Sequence, residues 1–163
     1  MSSIRSEVVV EAPADRAFRV FTERMETWWP ASHHIGKVPF KTIVLDRRAN
    51  GRWAEIGDDG SECDWGRVLV WDPPKRLVLA WQLTTEWQFD ANFVTEVEIN
   101  FTPMHAGRTR VELEHRNLER FGKNAEAFAK SISSEGGWPL ILNSFAAIAA
   151  ERNPVSAAAS KAS

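Results

Sequence analysis

The chain has 163 residues, with 20 basic and 22 acidic side chains and a formal net charge of −2. That is the length of a single domain, here near neutrality and free of like-charge blocks, which argues against nucleic acid and anionic membrane as partners. The lone cysteine, Cys63, excludes an internal disulfide and any multi-cysteine metal site; it fits a reducing compartment, so a cytoplasmic protein is expected.

Residues 4–11 alternate apolar (Ile4, Val8, Val10) with charged positions (Arg5, Glu7), the pattern of a strand. Those charges also interrupt any export-signal core or membrane span, and neither is expected. Pro13 and Asp15 then suit a helix entry, and Ala17, Phe18, Val20 and Phe21 keep helical spacing. A second short helix is predicted over Thr22–Trp29, stopped by Pro30. Residues 31–40 lack a period and read as a loop, with Trp28-Trp29 either gating a cavity mouth or anchoring the helix before it.

Extended segments follow at Lys41–Asp46, Arg52–Ile56, Glu62–Trp71 and Arg76–Leu83. Asn50-Gly51, Asp58-Asp59-Gly60 and Asp72-Pro73-Pro74 supply the reversals between them. After a less regular run carrying Trp87 and Phe89, Phe93–Thr102 and Thr109–His115 complete seven strands. A helix is predicted over Lys123–Ile132. Past the break at Ser133–Gly137 a longer one begins at Trp138, with Pro139 in its first turn and a stripe of Trp138, Ile141, Leu142, Phe145, Ile148 and Ala149. Residues 1–152 are read as one domain, and the Ala/Ser-rich 153–163 as a frayed tail.

Eight tryptophans stand against no tyrosine. An indole brings large apolar area with one donor and no acceptor, so either the interior is wide and poor in acceptors or the composition has drifted. In the Trp65–Trp81 hairpin, Trp65, Leu69 and Trp71 share one strand parity, and Leu77, Leu79 and Trp81 another. Such a face must meet a large apolar partner, and the final helix is the only long apolar one. An α+β fold in which one sheet wraps that helix is expected.

Five pieces in order carry a resemblance: Asn50-Gly51-Arg52-Trp53-Ala54-Glu55, the Trp65-Gly66 to Trp81 hairpin, Thr95-Glu96-Val97-Glu98, Leu113-Glu114-His115, and Gly137-Trp138. Over residues 4–150 the chain resembles the START-like or SRPBCC superfamily, in the branch similar to the C-terminal domain of the activator of heat-shock protein 90 ATPase. The resemblance implies a helix-grip architecture: a seven-stranded curved antiparallel sheet around a long C-terminal helix, two short helices after strand one, and a cavity between sheet and helix. Asn50 and Asn117 stand where glycine is common in the family, a departure explained if both backbones are left-handed. A chaperone contact is also implied, although in the heat-shock activator that contact depends on an additional N-terminal domain with no counterpart here.

Candidate cavity-lining residues are Trp53, Glu55, Trp81 and His115 from the sheet, with Trp138, Leu142 and Phe145 from the last helix. His115 shares parity with Thr109, Val111 and Leu113; turned inward, it can orient a ligand or bond a neighbouring structural group. Glu55 follows Trp53 in parity; if buried it needs a partner, Arg67 or His115, and if Trp53 caps the outer edge it is solvated. Gly136-Gly137 leaves bare amides for an anion, or permits close approach of helix and sheet. His33-His34 lacks further ligands, so no metal or cofactor is expected. Nucleophile-elbow, P-loop, dinucleotide and zincin motifs do not occur. The reading is a binder of a hydrophobic or amphipathic small molecule, monomeric or homodimeric; the alternatives are a chaperone-interacting module or a cyclase or hydrolase.

Overall fold

The computed structural model describes residues 2–151, so the segment read as a tail, 153–163, lies outside the described residues. β1 (Ser3–Val10) leads into α1 (Ala14–Glu23) and α2 (Met25–Trp28). A six-stranded meander follows: β2 (Phe40–Leu45), β3 (Arg52–Gly57), β4 (Glu62–Asp72), β5 (Arg76–Trp81), β6 (Thr95–Met104) and β7 (Arg108–Arg116). Then come α3 (Ala125–Ser133) and α4 (Trp138–Ala150).

The sheet is antiparallel throughout, in the order β1-β7-β6-β5-β4-β3-β2. β1 pairs with β7 from Ser3↔Arg116 to Val10↔Thr109, so the first strand extends the meander at its far edge. Register shifts at Phe40/Thr42, Trp53/Ala54 and Val68/Val70 mark bulges, which bend strands and tighten their twist. The sheet curls, and its inner face receives α4. On α4, Trp138, Ile141, Leu142, Phe145 and Ala149 are buried. Phe145 sits edge-on to Phe21 of α1 and Trp28 of α2, each at 5.2 Å between ring centroids. Burying a phenylalanine to this extent stabilises by about 2 to 3 kcal/mol, so the short helices and α4 share one core.

The bulges correct the parity expected for β4. Trp53 pairs with Gly66 and Ala54 with Asp64, so Trp65 is an extra residue, and it is buried. Val68 pairs with Leu79 and Val70 with Val78, so Leu69 is a second extra residue; it lies outside the core that Trp65 and Val68 join. Trp71 returns to the core against Phe18, at 5.1 Å. Each added residue resets the alternation, so Trp65, Leu69 and Trp71 do not share a face through simple parity.

Other boundaries move less. α1 continues through Glu23, leaving α2 shorter than predicted. β5 stops at Trp81 and β6 starts at Thr95; residues 82–94 between them form a tongue folded back on itself through the bridge Leu83↔Phe89. Asn50 and Asn117 have φ of 65° and 66°, the left-handed backbone that asparagine tolerates. Among the described residues, no helix is long and apolar enough to cross a membrane.

Candidate functional site

Glu55 points inward from β3 and is 1% exposed. Its carboxylate accepts three hydrogen bonds: from the Ile35 amide at 2.6 Å, the Gly36 amide at 3.2 Å and the Trp65 indole Nε1 at 3.0 Å. A buried carboxylate needs such donors. The partners suggested by sequence, Arg67 and His115, are not the ones used; Arg67 donates to Gln82 Oε1 instead. Glu55 therefore ties the loop after α2 to the sheet. Trp29 Nε1 donates to the His33 carbonyl, and His33 Nε2 bonds the Gly136 carbonyl at 2.8 Å, linking that loop to the turn before α4.

His115 lies on the inner face of β7 with Thr109, Val111 and Leu113, and has no exposure. Trp138 Nε1 donates to its Nδ1 at 3.2 Å, which leaves the ring proton on Nε2. Nε2 then donates to Thr95 Oγ1 at 2.8 Å, and Thr95 donates to the Trp81 carbonyl at 3.3 Å. Both ring nitrogens are occupied. Burial pushes the imidazole pKa down to about 3, so the ring is neutral at physiological pH.

A cavity of about 450 Å³ opens between these two anchor points. The loop after α2 supplies Trp29, His33 and Ile35 to its wall, and the sheet supplies Trp65 and Trp81. Trp87 comes from the tongue, and α3 and α4 contribute Ile132, Trp138 and Ile141. Trp87 is 47% exposed, has φ of 60°, and lies against Trp81 and Phe128 at centroid distances of 6.3 and 6.1 Å.

Of the residues singled out from sequence, Trp81 and Trp138 lie on the cavity wall. Trp53, Glu55, His115, Leu142 and Phe145 are not among the wall residues: they are buried beneath it or in the core. Glu55 and His115, considered together as groups for turnover, are bound into separate structural networks. The Trp28-Trp29 pair divides its roles: Trp28 is in the core with its indole bonded to the Val20 carbonyl, whereas Trp29 lines the cavity. Sequence reasoning left Trp65 and Trp87 off the wall and placed Trp29 only in a pair that gates the cavity mouth or anchors a helix. Their shared signal is an indole at an irregularity, namely a helix end, a bulge and a left-handed turn.

Gly137 is needed for close approach, but to another helix rather than to the sheet: a Cβ there would stand 2.2 Å from the Ile132 carbonyl of α3. Among the described residues, no group of three His, Cys, Asp or Glu is arranged to hold a metal.

The family model for Activator of Hsp90 ATPase homolog 1-like protein matches residues 11–150. Among solved structures, the chain is similar to Txn09, an anthrahydroquino-γ-pyrone synthase complexed with SUM: 36% identity over 91% of this chain and 97% of that one, TM-score 0.65. It is also similar to CalC, a self-sacrificing resistance protein from Micromonospora echinospora, with 31% identity over 91% and 94% of the two chains and a TM-score of 0.69. Protein CV1439 from Chromobacterium violaceum, 18% identical over 93% of this chain and all (100%) of its own, TM-score 0.61, shares the fold. No curated protein matches. A match reaching from the end of β1 to the last residue of α4, on a curled sheet gripping that helix, shows that the chain belongs to the Activator of Hsp90 ATPase homolog 1-like family of the START-like (SRPBCC) superfamily.

Proposed function

We propose that the chain is a cytoplasmic binding protein, monomeric or homodimeric, that holds a planar and largely apolar aromatic molecule in the cavity between the sheet, the tongue and α4. The observation that carries this reading is the wall itself: five indoles, Trp29, Trp65, Trp81, Trp87 and Trp138, around about 450 Å³. That volume lies within the usual range for small-molecule sites, which are mostly apolar with a few placed polar groups. Indole faces favour flat rings in offset or edge-on contact over flexible chains.

Txn09, at 36% identity, is a synthase of an anthrahydroquino-γ-pyrone, a fused-ring aromatic, which supports the same class of ligand. Binding rather than turnover is favoured because Glu55 and His115, the buried groups suited to proton transfer, are held in closed hydrogen-bond networks.

The test is titration of the full chain with tricyclic aromatics, flavones and a straight-chain fatty acid, followed by tryptophan fluorescence and calorimetry. Saturable one-to-one binding of at least one planar class, tighter than the fatty acid, is expected. Absence of saturable binding across the panel would overturn the reading.

A further inference from the structure

Two adjacent histidines on the cavity wall, His33 and His34, use their rings differently. Each bonds a backbone carbonyl, His33 through Nε2 to Gly136 and His34 through Nδ1 to Gly36, both at 2.8 Å. A carbonyl only accepts, so in each ring the bonded nitrogen carries the proton and the other is an acceptor. On His33 that acceptor is taken, since the Ser32 hydroxyl donates to Nδ1 at 2.9 Å. On His34 it is not: Nε2 has no partner among the described residues.

This nitrogen is accessible. Among the described residues, the buried side-chain polar atoms without a partner are Trp81 Nε1 and Asn117 Oδ1, and His34 Nε2 is not one of them. His34 itself is half-buried and forms part of the wall. Its Nδ1 edge is turned back onto its own loop, so what the ring offers the cavity is the opposite edge, which carries Nε2. The backbone on either side is held: Trp29 Nε1 bonds the His33 carbonyl, and the Glu55 carboxylate takes the Ile35 and Gly36 amides. The acceptor is thus preorganised, and little ordering is needed when a ligand meets it. No other side chain of the wall is confined to accepting. The hydroxyls of Ser32, Ser131 and Ser134 rotate to donate or accept, and the indoles only donate. Among the described residues, the wall holds no Lys, Arg, Asp or Glu, so the partner that fits it is an uncharged donor.

We propose that His34 Nε2 is the recognition acceptor of this cavity, and that the site selects planar aromatic molecules bearing a phenolic hydroxyl over the same rings methylated at that oxygen. The proposal rests on the reading of the cavity as a ligand site and adds the chemical group its ligand must carry. One matched hydrogen bond of this kind gives roughly 5- to 10-fold in affinity.

The test compares 6-hydroxyflavone, whose phenol keeps its proton in neutral buffer, with 6-methoxyflavone and flavone, which share its ring plane and lack the donor. In calorimetry on the full chain, the hydroxyflavone should bind at least about fivefold tighter than either. In His34→Phe that preference should fall below about twofold; it is read as a ratio within the variant, so a loss common to all three compounds cancels. Circular dichroism and the urea midpoint report whether the variant is folded. If it is not, the native chain decides: the nitrogen resonance of His34 Nε2 should move upfield with the hydroxyflavone, the proton staying on Nδ1, and should stay in place with the methoxyflavone. Equal affinities in the native chain, a preference that survives His34→Phe, or an unmoved Nε2 resonance overturn the acceptor assignment and leave the cavity reading standing. Failure of all three compounds to bind overturns both.

Discussion

The Trp138 indole donates to Nδ1 of His115 across 3.2 Å, joining the first turn of α4 to the last strand of the sheet. This bond sets the imidazole tautomer and, through Thr95, reaches the Trp81 backbone. A second proton on His115 would place an N–H against an N–H, in a site where burial already disfavours charge.

The pH dependence follows from that pair. The His115 pKa is held at about 3 in the folded chain against 6.5 for an ordinary histidine. The unfolded chain therefore binds a proton that the folded chain refuses; the stabilisation is complete above pH 6.5 and is lost as pH falls toward 3. The slope contributed is about 1.4 kcal/mol per pH unit within that window. Urea midpoints between pH 7 and 4 should show it, and His115→Phe should be less stable at pH 7 with a shallower decline.

Glu55 makes a separate prediction. Glu55→Ala removes the acceptor of two loop amides and the Trp65 indole, and unmatched buried donors cost about 1 to 3 kcal/mol each before water enters. A loss of about 3 kcal/mol is expected, with hydrogen exchange accelerated at Ile35 and Gly36. Glu55→Gln, which keeps one acceptor, should lose about half as much.

At the turn before α4, two adjacent glycines should respond differently. Gly137→Ala drives a methyl group into the Ile132 carbonyl, whereas a Cβ at Gly136 meets nothing within 4 Å. Thermal melts should show Gly137→Ala destabilised by more than about 2 kcal/mol and Gly136→Ala near native stability.

On the outer face of the sheet, Glu98 bonds Arg76 at 2.7 Å and also pairs with Arg116. The Arg76 guanidinium, helped by Arg116 and Asn100, holds its carboxyl down at about 2 against the ordinary 4.5. Here the folded form keeps the charge, so this stabilisation is present above pH 4.5 and disappears as pH falls toward 2. Glu98→Gln should cost about 1 kcal/mol at neutral pH, since both arginines are partly solvated. The loss should vanish near pH 2.

Much of the fold could be read in the residues because single faces impose simple periods. Thr109, Val111, Leu113 and His115 alternate into the core, and the stripe from Trp138 to Ala149 keeps helical spacing. Asparagine at positions 50 and 117 signalled left-handed turns. The candidate site was less legible. Glu55 bonds a loop about 20 residues away in sequence, and no local pattern encodes that contact. Bulges at Trp65 and Leu69 defeat parity, because one added residue exchanges the two faces without altering composition. Trp87, with its left-handed backbone, fits neither period, so no pattern in the sequence marks it as a wall residue.

Indole N–H resonances test the central claim, that the indole-lined cavity holds a planar ligand, most directly. On addition of anthraquinone-2-sulfonate to the full chain, the resonances of Trp29, Trp65, Trp81, Trp87 and Trp138 should shift together, while Trp28 and Trp71 stay in place. Shifts confined to Trp28 and Trp71, or no shift at saturating compound, would contradict it.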